Sequence, residues 1–318
     1  MTRYARQMIL PGIGAAGQRR LGDAHVLVVG AGGLAAPLLP LLAGAGVGRI
    51  ALIDGDRVSL SNLHRQTLFT EADCGQPKVQ VAARRCIEIN CDIVVEAIAQ
   101  KLTPANAFAL VAQADLVLDC ADSYAVSYVL SDLCLDQNTP LISASVLGLG
   151  GYVGGFCGGA PSLRAVFPNA PDSGASCATA GVLGPVVGTI GAMQAQMALN
   201  VLLGFNPSPL GLLVNFNAQT LSMSGFRFDT APEPATRFPF CAASQLTEDD
   251  LIIELRPQDE APTPIHPAAR RLTFPEIQSV RAPRVALCCA TGLRAWRVAE
   301  NLQPNWSGEI VLVAASAS

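Results

Sequence analysis

The connection IDGDRVSLSNLHRQ, residues 53–66, holds more fixed polar groups than a turn needs. Asp54 and Asp56 supply carboxylates, Asn62 and Gln66 supply amides, and Arg65 supplies a guanidinium that can grip phosphate oxygens in bidentate fashion. Nearby stretches carry matching chemistry. Gly30, Gly32 and Gly33 of GAGGLA leave backbone N–H groups free to face phosphate oxygens where a strand turns into a helix. Lys78 in GQPKVQ adds a point charge, and Asp122 in DCADS adds a carboxylate suited to Mg²⁺, which binds through carboxylates together with substrate phosphates. ATP with magnesium uses all these groups at once. A dinucleotide uses the glycines, and Asp54 about 20 residues on for its ribose, and leaves the others idle. An NAD- or FAD-dependent oxidoreductase is thus the competing reading, and a glycine turn that only lets helix and strand pack closely is the simplest one.

These groups meet only if the right elements carry them to one edge. HVLVVGAGGLAAPLLPLLAGAGVGRIALIDGD reads as strand, glycine turn, Ala/Leu-rich helix and strand, a βαβ unit of the expected ~30 residues. The alternation continues with a helix near 78–90, the strand IVVEAI, a helix from about Pro104, a strand in ADLVLDCADS, a helix near 124–135 and the strand PLISASV. The order implies an α/β fold with a doubly wound, mostly parallel, Rossmann-like sheet, whose ligands sit beyond the carboxyl ends of the strands. The apolar stretch 179–204 is interrupted by glycines and by Gln194 and Gln196, which predicts a buried helix rather than a membrane span. LLVNFNAQTLSMSGFRF alternates as a hairpin. The expected organisation is a nucleotide-binding domain over 1–228, a Pro/Ala-rich linker over 229–246, and a second, small α/β module over 247–318.

Half the residues are apolar and only 5% aromatic, which suits an interior of Ala, Val, Leu and Ile between a sheet and its helices. The net charge of −4 gives no general attraction to nucleic acid or an anionic bilayer, so neither is an expected partner and phosphate binding must be local. Ten cysteines in 318 residues are too sparse for a disulfide scaffold, and no charged-then-apolar leader opens at Met1-Thr2-Arg3-Tyr4. The reading is a reduced, cytoplasmic protein. The residues show no metal-ligand cluster and no Ser-His-Asp arrangement; of the three histidines only His64 lies near the proposed site.

In order along the chain, RYARQ, VLVVGAGGL, LIDGDRVSLSNLHRQ, GQPKV, DLVLDCADS and CATAGVLGPVVGTIGAMQA resemble the pattern of the ThiF/MoeB/HesA family, bacterial relatives of ubiquitin-activating enzymes, over residues 3 to 227. The resemblance implies an enzyme that adenylates the C-terminal glycine of a ubiquitin-like sulfur carrier ending in Gly-Gly. It implies that Gly30, Gly32, Gly33, Asp54 and Asp56 line the nucleotide, with Asp54 on the ribose. Asn62, Arg65, Gln66 and Lys78 would surround the triphosphate, and Asp122 would hold Mg²⁺. Arg6 would reach into the partner's site of a homodimer, and Cys177 matches a cysteine that some members link to the carrier; a packing cysteine is the alternative. A non-catalytic scaffold for a ubiquitin-like protein is a further alternative.

Three departures matter. Relatives carry two Cys-x-x-Cys pairs for a structural zinc, whereas Ser162, Ala165 and Ser244 here leave Cys241 alone, so no zinc is expected and apolar packing is expected in its place. Ala35 and Ser123 replace a usual Gly and Asn. In the tail, CCATGLR resembles the rhodanese active loop, with Cys289 first and Arg294 beside it to favour a thiolate, and LIIELRPQDEA and HPAARRL resemble that domain's other signature. The implied role is persulfide sulfur delivery. A shortened, inactive module is the alternative, because Glu254 replaces the usual Asp.

Overall fold

The computed structural model describes residues 3–170 and 181–317. Its first sheet has eight strands in the order β3-β2-β1-β4-β5-β6-β7-β8. These are β1 His25–Val29, β2 Arg49–Ile53, β3 Val94–Ile98, β4 Leu116–Asp119, β5 Leu141–Leu147, β6 Gly150–Phe156, β7 Leu212–Asn217 and β8 Ser222–Arg227. The first five are parallel, and β5 to β8 are antiparallel.

Side-chain alternation explains the layers, because successive residues of a strand face opposite sides of the sheet. Val26, Val28, Ile50, Leu52, Leu116 and Leu118 face one side, where α2 (Ala35–Ala45), α3 (Lys78–Ile89) and α6 (Gly184–Leu203) cover them. Leu27, Val29, Ala51, Ile53 and Val117 face the other, against α4 (Pro104–Val111) and α5 (Tyr124–Asp136). An earlier helix, α1 (Gly14–Asp23), flanks this body. Helix α6 is long and apolar enough to cross a membrane by length and composition, and here it packs on α2, β5 and β6. Strand β6 was not anticipated: GGYVGGF has too few side chains to show alternation, and its pairing with β5 and β7 supplies the order that its sequence lacks.

The carboxyl-terminal residues form a three-stranded parallel sheet, β11-β10-β9, from β9 Leu251–Glu254, β10 Arg284–Cys289 and β11 Glu309–Ala314. Two helices accompany it, α7 (Phe274–Ser279) and α8 (Leu293–Leu302). Its core is shared with the first sheet's layer. Tyr128 of α5 and Phe238 of the expected linker pack with Trp296, Leu287 and Leu312, and the Cys241 N–H donates to Leu312 O.

The stretch that departs from the zinc pattern is polar, which corrects the expectation of apolar packing. The Ser162 amide and hydroxyl both donate to the Glu233 carboxylate, at 2.7 and 2.5 Å. Beside it the Arg164 guanidinium, 1% exposed, holds Asp132 through two hydrogen bonds of 2.6 and 2.8 Å and also donates to Phe238 O. The same guanidinium lies 4.4 Å over the Tyr128 ring and 5.1 Å from the Trp296 ring. Burial pushes the Asp132 carboxyl up, and Arg164 opposes it. Removing one partner of such a pair strands the other charge. Arg164→Ala is therefore expected to lower unfolding free energy by about 3 kcal/mol in a denaturant titration, with no rescue by Lys, which lacks the planar fork.

Candidate functional site

The site forms where β1, β2 and β4 end. Gly30 leaves β1 with φ of 94°, in the region that favours glycine, and a Cβ there would lie 2.7 Å from Cys120 O. A Cβ on Gly33 would lie 2.7 Å from the Val187 side chain of α6. These two glycines let the turn cross over β4 and settle against α6, with the Gly30 N–H donating to Ile53 O.

Asp54 organises that turn from the end of β2. One carboxylate oxygen accepts the Ala31 N–H and the other the Asp56 N–H, both at 2.7 Å. Each oxygen keeps a lone pair for a further donor such as a ribose hydroxyl. Lys78 begins α3, is 5% exposed, and places its Nζ 3.0 Å from Asp56 Oδ2. Asp56, expected at the nucleotide, thus holds the ammonium of Lys78. A buried ammonium with a single exposed carboxylate partner is poised to accept a second anion.

The structure brings the rest of the 53–66 cluster to the same edge. Gln66 is 4% exposed, its Nε2 stands near Gly32, and its Oε1 is buried with no hydrogen-bond partner. An amide with an orphaned oxygen is under-used, and a half-turn of the group presents its NH₂ instead. Arg65 Nη1 lies 2.7 Å from His64 Nε2, and Asn62 Oδ1 accepts from Ser59. Asp122 is exposed and enters no hydrogen bond or ion pair among the described residues. Its free carboxylate, the glycine cradle and the Lys78 ammonium fit a magnesium-bound polyphosphate.

Asp119 was not singled out from the sequence. It is the last residue of β4 and fully buried. Its carboxylate accepts the Ser143 hydroxyl at 2.8 Å and the Ala121 N–H at 3.1 Å. Burial pushes its pKa up, while Ser127, Ser143 and Ala121 oppose that shift. As the end of an apolar strand, in LVLD, it gave no motif to read.

Other expected residues lie apart. Arg6 is exposed near the amino terminus, with no partner among the described residues. Cys177 lies outside the described residues. Cys289 ends β10, 1% exposed, and its Sγ accepts the Gly292 and Ala295 N–H groups at 3.1 and 3.4 Å. Arg294, expected to support a thiolate, is turned to the Glu260 carboxylate and Leu255 O instead, because a direct ion pair outweighs a more distant sulfur. Glu254 is satisfied by Arg256 and by the Ile265 N–H. The Cys289 loop abuts the first site: a Cβ on Gly292 would lie 2.8 Å from the Tyr124 hydroxyl and 2.6 Å from the Phe240 ring, and Tyr124 follows Asp122 by two residues.

A parallel sheet with a glycine turn, a carboxylate behind it and cations at its carboxyl edge defines a nucleotide-binding α/β protein. The ThiF family matches residues 4–239, and the chain belongs to that family. It is 38% identical over 260 residues to a sulfur carrier protein adenylyltransferase of Thermus thermophilus, covering 79% of this chain and 94% of that one. It is 42% identical over 225 residues to the sulfur carrier protein ThiS adenylyltransferase of Escherichia coli, covering 69% and 87%. The adenylyltransferase and sulfurtransferase MOCS3 of Sus scrofa is 45% identical over 221 residues, covering 69% of this chain. The chain spans about half the length of the MOCS3 relatives it matches, 49% in that case. Among solved structures, E. coli MccB with ATP shares the fold at a TM-score of 0.64 and 23% identity, over 74% of each chain.

Gly30→Ala should strain the turn and press on Cys120 O. The expected loss is about 1–3 kcal/mol in urea unfolding, whereas an unchanged midpoint would show that the turn does not need the positive φ.

Proposed function

We propose that this protein uses ATP and Mg²⁺ to adenylylate the C-terminal glycine of a ubiquitin-like sulfur carrier ending in Gly-Gly, for thiamine, molybdopterin or a related thiolation pathway in the cytoplasm. The observation that carries the reading is the buried Lys78 ammonium, whose one carboxylate partner is the exposed Asp56, on the loop that Asp54 ties to the glycine turn. The names of the T. thermophilus and E. coli relatives support it.

A carboxylate is a poor nucleophile toward a polyanion, so the protein must shield charge and align the attack. In the proposed step a carrier carboxylate oxygen forms a bond to the α-phosphorus while the bond to the β-phosphate oxygen breaks and pyrophosphate leaves. The turn N–H groups hold phosphate oxygens, and Asp54 fixes the ribose. Lys78 and Arg65 bear the charge that passes to the departing pyrophosphate. Asp122 would hold magnesium, which would supply charge neutralisation. No general base is needed, because the nucleophile is already ionised.

A hollow of about 520 Å³ lies on the β5–β8 face, lined by Ser145, Gly150, Tyr152, Asn215, Asn217 and Ser224. Small polar side chains beside backbone suit an extended glycine tail. The proposal includes a homodimer, in which Arg6 reaches the partner's nucleotide. It also includes a sulfurtransferase role for the rhodanese-like tail: the Cys289 thiolate takes the outer sulfur of thiosulfate, forming an S–S bond and releasing sulfite. Because Cys289 is 1% exposed, the side chains around it must give way for a donor to arrive.

ATP–pyrophosphate exchange should appear only when a carrier ending in Gly-Gly is added, and Asp122→Ala should abolish it; exchange indifferent to the carrier would sink the reading. A nicotinamide or flavin absorbance in the purified protein would favour the oxidoreductase instead. Separately, Cys289→Ser is expected to spare exchange and stop sulfite release from thiosulfate, and retained release would remove that cysteine from the scheme.

A further inference from the structure

We propose that Asp119 is a positioning residue for the metal-binding carboxylate, an inference that rests on the nucleotide–magnesium reading of the site. The turn Cys120-Ala121-Asp122 leaves the end of β4: Cys120 is buried in the core and Ala121 is half-buried against it, while Asp122 itself is exposed. A buried polar knot adds direction to that packing. Asp119 accepts the Ala121 N–H through Oδ1, closing a local turn of the kind aspartates make with the backbone two residues on. Its Oδ2 accepts the Ser143 hydroxyl from β5.

The strand end is pinned from the other side by Gln194 of α6. Its Nε2 donates to Asp119 O at 2.7 Å and to Ile142 O at 3.0 Å, and its Oε1 lies 3.3 Å from the Cys120 sulfur. These bonds tie down Asp119, Cys120 and Ala121, the three residues before Asp122, and none involves Asp122 itself. The same Ser143 pairs with Gly154 across β5 and β6, and its side chain hydrogen-bonds Tyr152, which lines the hollow on the sheet face. Partners one layer behind a metal ligand set its direction, and losing them weakens metal binding while leaving the ligand in place.

The test is Mn²⁺ binding with ATP, read by electron paramagnetic resonance on the full chain, alongside carrier-dependent exchange as a function of Mg²⁺. Asp119→Ala should raise the Mn²⁺ half-saturation by about tenfold or more. Asp119→Asn keeps an acceptor for Ala121 and a group that can pair with Ser143, so it should stay near the wild-type value. Ser143→Ala, a milder change expected to fold should Asp119→Ala fail to, moves half-saturation in the same direction by a smaller factor. A wild-type metal dependence in Asp119→Ala or Ser143→Ala, or an Asp119→Asn as impaired as the alanine variant, overturns the inference, as does a wild-type protein that binds no Mn²⁺ with ATP. Wild-type protein that binds Mn²⁺ and ATP but shows no carrier-dependent exchange overturns the proposed reaction, while the binding series still decides the role of Asp119.

Discussion

The close crossing of the β1 turn over the end of β4 is the constraint on which the site depends. With a Cβ at Gly30 only 2.7 Å from Cys120 O, the two strand ends can meet only through bare backbone. That contact sets the glycine turn directly against the start of the loop that carries Asp122. Any residue with a side chain at Gly30 would press on Cys120 O and move one loop away from the other. The glycine at position 33 does the same for the long helix, which seats the turn against α6.

Two carboxylates hold this arrangement in place. Asp54 ties Ala31 to Asp56 across β1 and β2, and Asp119 ties β4 to β5 from within the core. Donors that are already oriented need no reorganisation when charge develops on a ligand. The Lys78–Asp56 pair plays a complementary part, keeping a buried ammonium satisfied at the same loop. The second sheet adds rigidity from outside, through Tyr128, Trp296 and the Arg164–Asp132 pair, and it sets the Cys289 loop against the helix that follows Asp122.

Much of this was legible in the chain. Continuous apolar, β-branched runs such as HVLVV and RIALI mark buried strands, and GAGGLA between them marks a turn with a specific chemistry. The hairpin at 212–227 follows from its alternation. What stayed hidden depends on partners far away in sequence. Asp119 looks like the polar end of a strand until Ser143, 24 residues on, is seen to donate to it. Arg164 sits in an otherwise apolar stretch, and only the fold supplies Asp132 and the two aromatic rings that make its burial tolerable. The glycine-rich β6 has no side-chain pattern at all, and its place comes from its neighbours. Phe238 falls in a segment whose composition reads as a loose connection, yet it is buried in the core of the second sheet.

The central claim is that this sheet edge gathers positive side chains and a metal-holding carboxylate around three phosphoryl groups rather than around a redox ring. A crystal structure with ATP and Mg²⁺ tests it most directly. The account predicts Lys78 drawn from Asp56 toward the phosphates, Arg65 on the same polyphosphate and Asp122 on the metal. Density in which all three point away from the nucleotide would contradict it.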